Sequence, residues 1–144
     1  MTRMDDAERV RFDAFVEGEL ERLPFAIRLL LEETPLLVED VPAEDVLREF
    51  GIDQAHADEI CGLHSGPGLT ERSVDDLPEL PETITIYRVG ILALAGGWTE
   101  EIDEDGTARG GEALISEEIR ITILHEVGHH YGLDEDDLDK LGFA

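Results

Sequence analysis

Residues 125–129 read His-Glu-Val-Gly-His, and they lie close to the end of the 144-residue chain. On a helix, side chains four residues apart project from one face, about one turn from each other. A helix through this segment therefore presents the imidazoles of His125 and His129 to a single metal ion, with Glu126 on the neighbouring face. Two histidines four residues apart, with a glutamate directly after the first, are typical of a zinc site in which the glutamate activates water.

The sequence around the motif predicts a helix that ends soon after it. Apolar residues recur before the motif with helical spacing, and we expect Ser116 to cap the helix, with acidic residues in its first turn. Gly132 suits the position just after the last helical residue, Tyr131, because glycine adopts the left-handed conformation that ends many helices.

A catalytic zinc needs a third protein ligand and one open position. Downstream candidates are His130, Asp134, Glu135, Asp136, Asp137 and Asp139. His130 points away from the side that carries His129. Glu135 follows His125 by ten residues, where the extended motif H-E-x-x-H-x-x-G-x-x-H has its third ligand, and Asp134 is the nearest rival. Either of these two could instead cap a final helix. The few residues after the motif disfavour a third ligand from a separate, later helix.

Composition limits the classes of function. The chain has 42% hydrophobic residues, enough for one domain over residues 1–144, and a net charge of −25. With 11 basic against 36 acidic residues, nucleic acid and anionic membrane surfaces are unexpected partners. The longest apolar run, residues 91–95, is too short to span a bilayer, and the single Cys61 excludes an intramolecular disulfide. We therefore expect a cytoplasmic protein.

Periodicity and breaker residues predict the other elements. We expect helices over residues 3–23, 25–32, 42–50 and 134–141, strands over 36–41 and 83–89, and a loop over 62–81. Residues 91–95 either extend the second strand or begin another element. In that strand, Ile84 and Ile86 lie either on an edge that pairs with an extended peptide or in the core.

Residues 101–112 place acids at positions 1, 3, 5 and 12 of a twelve-residue loop, with Gly106 at position 6. This resembles the spacing of a calcium-binding EF-hand loop, but the first residue is Glu101 rather than aspartate. We therefore favour a solvated acidic loop beside the motif helix.

Other residues with chemical potential have more ordinary interpretations. Tyr87 and Tyr131 could donate to an oxyanion, but packing is the more common role. His56 and His64 lie in loop-like sequence, and we expect surface histidines rather than ligands there. Cys61 has no neighbouring group that indicates a nucleophile.

Residues 125–142, HEVGHHYGLDEDDLDKLG, resemble the small bacterial zincin-like metallopeptidases, which are similar to minimal metzincins. Shorter similar segments are Leu23-Pro24 and residues 38–42, 62–66, 69–73 and 84–88. The resemblance implies an α+β fold, a single zincin-like domain with a small mixed sheet packed against the active-site helix. It also implies Zn²⁺ bound by His125, His129 and Glu135, with Glu126 as the general base.

Two hypotheses from different classes follow. The first is a zinc-dependent hydrolase that cleaves peptide bonds in peptides or proteins. The alternative is a non-catalytic binding module whose zinc stabilises the fold. The fourth coordination position separates them, because a water beside Glu126 indicates an enzyme and a fourth protein ligand indicates a structural site.

Overall fold

The computed structural model describes residues 4–65 and 83–140. The helices are α1 (Asp6–Arg22), α2 (Phe25–Glu33), α3 (Glu44–Phe50), α4 (Arg88–Ala95), α5 (Glu112–Tyr131) and α6 (Glu135–Lys140), with a 3-10 helix at Gln54–Glu59. The strands are β1 (Leu36–Glu39), β2 (Gly62–Ser65), β3 (Thr83–Tyr87), β4 (Glu101–Ile102) and β5 (Ala108–Arg109). This confirms the predicted α+β class with a small mixed sheet. One domain over residues 1–144 stays a prediction, since it includes residues beyond those described.

The main sheet has the order β1-β3-β2. β1 runs parallel to β3, with Leu36 opposite Ile84, and β2 runs antiparallel to it, with His64 opposite Ile84. Ile84 and Ile86 are fully buried. The edge-strand alternative for β3 is therefore wrong and the core alternative is right. A central strand covered on both faces needs the near-continuous apolar character that these residues provide.

α5 runs through the core of the described residues. Its inward side carries Ile115, Ile119, Ile123, Leu124 and Val127, each at most 1% exposed. Together with α1, α2, α4 and β3, they form one hydrophobic cluster. Burial of this side, at about 25 cal/mol per Å² of apolar surface, stabilises α5 far more than helix propensity does.

The predicted start of this helix is wrong, because α5 begins at Glu112, one turn before Ser116. The turn ahead of it uses Gly110 and Gly111, both at positive φ. A Cβ on Gly110 would lie 2.2 Å from the carbonyl oxygen of Thr99, so only glycine fits there. The turn before Ser116 is helical because this conformation buries Ile115 in the core. The predicted end is confirmed, since Gly132 caps α5 with a φ of 67°.

Other boundaries differ in ways that tertiary pairing explains. The predicted loop over residues 62–81 is wrong for residues 62–65, which pair with β3 as β2; residues 66–82 lie outside the described part. The strand predicted over 83–89 ends at Tyr87, and residues 91–95 belong to α4. The acidic segment after Gly97 contains the β4–β5 hairpin, with Gly106 at a φ of 86°. A hairpin here lacks the flanking helix of an EF-hand.

A network of charges fixes α1 to the sheet. Arg9 donates to both oxygens of Asp40, and Arg88 donates to Asp40 and to Asp13. The two guanidinium groups hold the pKa of Asp40 below its usual value.

Within residues 4–65 and 83–140, no helix is long and apolar enough to cross a membrane.

Candidate metal centre

The two histidines of the motif lie on one exposed side of α5. Both His125 and His129 are exposed, and their rings are nearly parallel, with 8° between planes and 6.5 Å between centroids. This follows from their spacing of four residues on a regular helix. Glu126, between them in sequence, turns inward and is 8% exposed. The motif therefore offers two solvent-accessible imidazoles above a largely buried carboxylate.

A third histidine enters this site from the sheet. His64 Nδ1 lies 3.6 Å from Oε1 of Glu126, and Nδ1 of His129 lies 3.9 Å from Oε2. One donor atom from each of these three side chains lies within 4.8 Å of the others. The prediction that His64 is a surface residue in a loop is therefore wrong, because it lies on β2 and faces the site. The surface position predicted for His56 is confirmed, with 62% of its side chain exposed, although it lies in the 3-10 helix rather than in a loop.

Gly62 makes room for Glu126. A Cβ built on Gly62 would lie 2.9 Å from Cγ of Glu126 and 3.0 Å from Cγ2 of Thr122. The backbone oxygen of Thr85 on β3 lies 3.3 Å from the same point, so the strand has little room to retreat. The close approach of β2 to α5 therefore depends on the missing side chain.

The segment after α5 turns back at once. Leu133 N–H donates to the carbonyl of Gly128 across the turn at Gly132, a helix end of the Schellman type. Asp134 Oδ1 accepts from the N–H of Asp137, and Oδ2 of Asp137 accepts from the N–H of Asp134. The carboxylate of Asp134 therefore caps α6, and this hydrogen bond gives it a role that requires no metal. Glu135 is the first residue of α6.

Two other residues singled out in the sequence, His130 and Tyr131, have packing contacts. His130 is fully buried, with its ring edge-on to those of Tyr131 and His64. Tyr131 donates to the carbonyl of Leu30, and its hydroxyl is 2.6 Å from Oγ1 of Thr34. These contacts tie α5 to α2 and favour a packing role for Tyr131.

Two further groups near the site are held in their neutral forms. Burial, followed by the charges of Glu39 and Glu126, raises the pKa of Tyr87 to about 12. Burial likewise raises the pKa of the Cys61 thiol, with Glu118 and Glu126 adding to the effect. Tyr87 is 2% exposed, so its role is packing, and Cys61 is a poor source of thiolate at neutral pH.

The donor set fits zinc. Zinc takes imidazole and carboxylate donors at roughly 2.0–2.2 Å and prefers four of them in tetrahedral geometry. His64, Glu126 and His129 already bring donor atoms within 4.8 Å of one another, and His125 adds an imidazole on the same side of α5. Nitrogen and oxygen donors without a thiolate are typical of a catalytic rather than a cysteine-rich zinc site.

Comparison with known proteins identifies the family. The family model of the zincin-like metallopeptidases matches residues 31–143, which include every element from β1 to α6. No curated protein matches the chain.

Proposed function

Because the chain belongs to the zincin-like metallopeptidase family, we propose that it hydrolyses peptide bonds with one zinc ion and with Glu126 as the general base. The observation that carries the proposal is the pairing of two exposed imidazoles with an inward carboxylate on one helix, α5. Substrates are peptides or proteins, as the family's activity implies.

His125 and His129 are the proposed ligands from the helix. Glu135 is the proposed third ligand, because it has the position that the extended motif reserves for one and follows the sharp turn at Gly132. Asp134 is the weaker candidate, since its carboxylate already caps α6. When bound, zinc polarises the peptide carbonyl and makes water more acidic.

Glu126 supplies the proton transfer. Its Oε2 lies on the side of His129, a proposed ligand, and Oε1 lies on the side of His64. Oε2 is therefore placed to accept a proton from the attacking water and to return it to the leaving amine. Its low exposure keeps bulk water from competing for the carboxylate, which strengthens its electrostatic interactions.

Glu126→Gln tests the role of the base. We expect hydrolysis of a peptide library to be abolished while zinc remains bound at one ion per chain, because the amide keeps the shape but cannot take the proton. Glu117→Gln, the same change at an exposed position of α5, is the matched control and should retain both properties. Loss of zinc in Glu126→Gln would mean that this carboxylate is a ligand.

Glu135→Ala tests the third ligand. We expect zinc affinity to fall at least tenfold in competition with a chromophoric chelator, because one of three protein donors is lost. Asp134→Ala is the control, and it should change helix capping rather than affinity. Equal affinities for Glu135→Ala and the unmodified protein would remove Glu135 from the ligand set.

One observation favours the alternative of a non-catalytic module with a structural zinc. His64 offers another imidazole within 4.8 Å of donors on Glu126 and His129, and a metal that bound all three would have no base beside it. The ligand set of the zinc-loaded protein separates the two functions, since only the enzyme keeps Glu126 off the metal.

A further inference from the structure

We propose that His64 is a positioning residue for Glu126, donating from its Nδ1–H to Oε1 of the carboxylate. This inference rests on the proposed function, in which Glu126 is the base. It assigns to β2 a part in catalysis that the helix motif does not contain.

The carboxylate of Glu126 lies between two imidazoles that face different oxygens. His64 Nδ1 is 3.6 Å from Oε1, whereas His129 Nδ1 is 3.9 Å from Oε2. A closure of about 0.6 Å would make the first contact a hydrogen bond of ordinary length. Catalytic hydrogen bonds are often long before metal and substrate bind and shorten afterwards. Fixing Oε1 in this way leaves Oε2 directed towards His129, one of the proposed ligands.

The surroundings of His64 restrict its ring. β2 is hydrogen-bonded to the central strand β3, with His64 opposite Ile84. The ring lies edge-on to the buried ring of His130, at 76° and 5.8 Å between centroids, and 28% of the side chain is exposed. A donor held by a strand and a packed ring loses little conformational entropy when it forms the hydrogen bond.

Gly62 contributes from the same side of β2. Residues two apart on a strand project to one face, and both Gly62 and His64 approach Glu126. Because Gly62 has no side chain, Cγ of Glu126 lies close to the strand. His64 approaches the carboxylate at the end of the same side chain. The strand thus contacts the base at two points along its side chain.

A ligand role for His64 is less compatible with the proposed function. His64 Nδ1 is 3.6 Å from Oε1 of Glu126, close to the separation of about 3.4 Å between two donors on a tetrahedral zinc. A zinc that bound His64 here would therefore bind Glu126 as well and would consume the base. Donation to Glu126 requires only a small closure of the distance that already exists.

The test is a two-bond ¹H–¹⁵N NMR spectrum of zinc-loaded protein labelled with ¹⁵N-histidine. We expect His64 to carry its proton on Nδ1, with neither nitrogen at a metal-bound shift, while His125 and His129 show metal-bound nitrogens. In Glu126→Ala the acceptor is gone, and His64 should revert to the Nε2–H tautomer that free histidine prefers. Glu117→Ala, on the exposed side of α5, should leave the His64 signals unchanged.

Two results would overturn the inference. A metal-bound shift on His64 would make it a ligand, and an Nε2–H tautomer in the unmodified protein would leave Nδ1 without a proton to donate. The spectra need no turnover, so they remain decisive even if hydrolysis is never observed. Failure of the proposed function and failure of this inference are therefore distinguishable.

Zinc affinity and kinetics give a second, independent readout. We expect His64→Ala to bind zinc as tightly as the unmodified protein and to lower kcat about tenfold with little change in KM, because orientation of the base is lost. His64→Asn, whose amide nitrogen reproduces Nδ1, should recover most of kcat. His56→Ala is the control for removal of an exposed histidine. A fall in zinc affinity in His64→Ala would also contradict the inference.

Discussion

Gly62→Ala should damage the site without touching a proposed metal ligand. The new methyl group would lie 2.9 Å from Cγ of Glu126, 3.0 Å from Cγ2 of Thr122 and 3.3 Å from the backbone oxygen of Thr85. Overpacking of this kind costs about 1–3 kcal/mol, and the lower entropy of the unfolded chain offsets about 0.4–1 kcal/mol. The difference between this cost and this offset is a net loss of about 1–2 kcal/mol in the free energy of unfolding.

The assay combines urea unfolding, zinc competition and peptide hydrolysis on the same protein samples. Because Cγ of Glu126 is close to its backbone, the carboxylate has to move, and kcat should fall while zinc affinity stays the same. Gly18→Ala is the matched control, since its nearest neighbours are atoms of Arg22 at 3.7–3.8 Å, and it should stabilise α1 by up to about 1 kcal/mol. If Gly62→Ala behaves like Gly18→Ala in both stability and kcat, β2 does not constrain the base.

Three further changes test the fold around the site. Asp40→Asn should cost about 1–3 kcal/mol at pH 7. The folded pKa of Asp40 is depressed, chiefly by Arg9, so this stability is present above the unfolded pKa of 3.8 and is lost as pH falls through the lower folded pKa. The difference in unfolding free energy between about pH 7 and about pH 3, measured with urea, should therefore be smaller in the variant. Ile123→Ala empties a fully buried position of α5 and should cost about 2–5 kcal/mol in the same assay. Tyr131→Phe removes the hydrogen bond to Leu30 and should cost about 1 kcal/mol; a large fall in kcat at unchanged stability would instead restore its oxyanion role.

The sequence predicts the helical half of the site because its determinants are local. The spacing of His125 and His129, the apolar side of α5 and the left-handed Gly132 all act within one helix, and the structure places them accordingly. The start of α5 was not predictable in the same way. Ser116 and the acids after it are a valid local capping signal, but burial of Ile115 extends the helix past it.

The strand half of the site depends on pairing between distant residues. Gly62-Leu63-His64-Ser65 has weak strand propensity, and the sequence between it and β3 is rich in glycine and proline. Only the register, His64 opposite Ile84 and Gly62 opposite Ile86, brings the segment over α5. A single sequence carries no signal for that register, although the spacing of Gly62 and His64 is compatible with one face of a strand.

The division of the site between α5 and β2 has a functional consequence. The proposed ligands of α5 are exposed, and the helix fixes their spacing, whereas Glu126 is buried and in contact with β2. Changes in β2 should therefore alter proton transfer more than metal binding, and changes at His125 or His129 should do the reverse. The two halves meet at Glu126, whose two carboxylate oxygens face His64 and His129 respectively. A double-mutant cycle between positions 62 and 64 should consequently show coupling in kcat and additivity in zinc affinity, since both residues act through the same carboxylate.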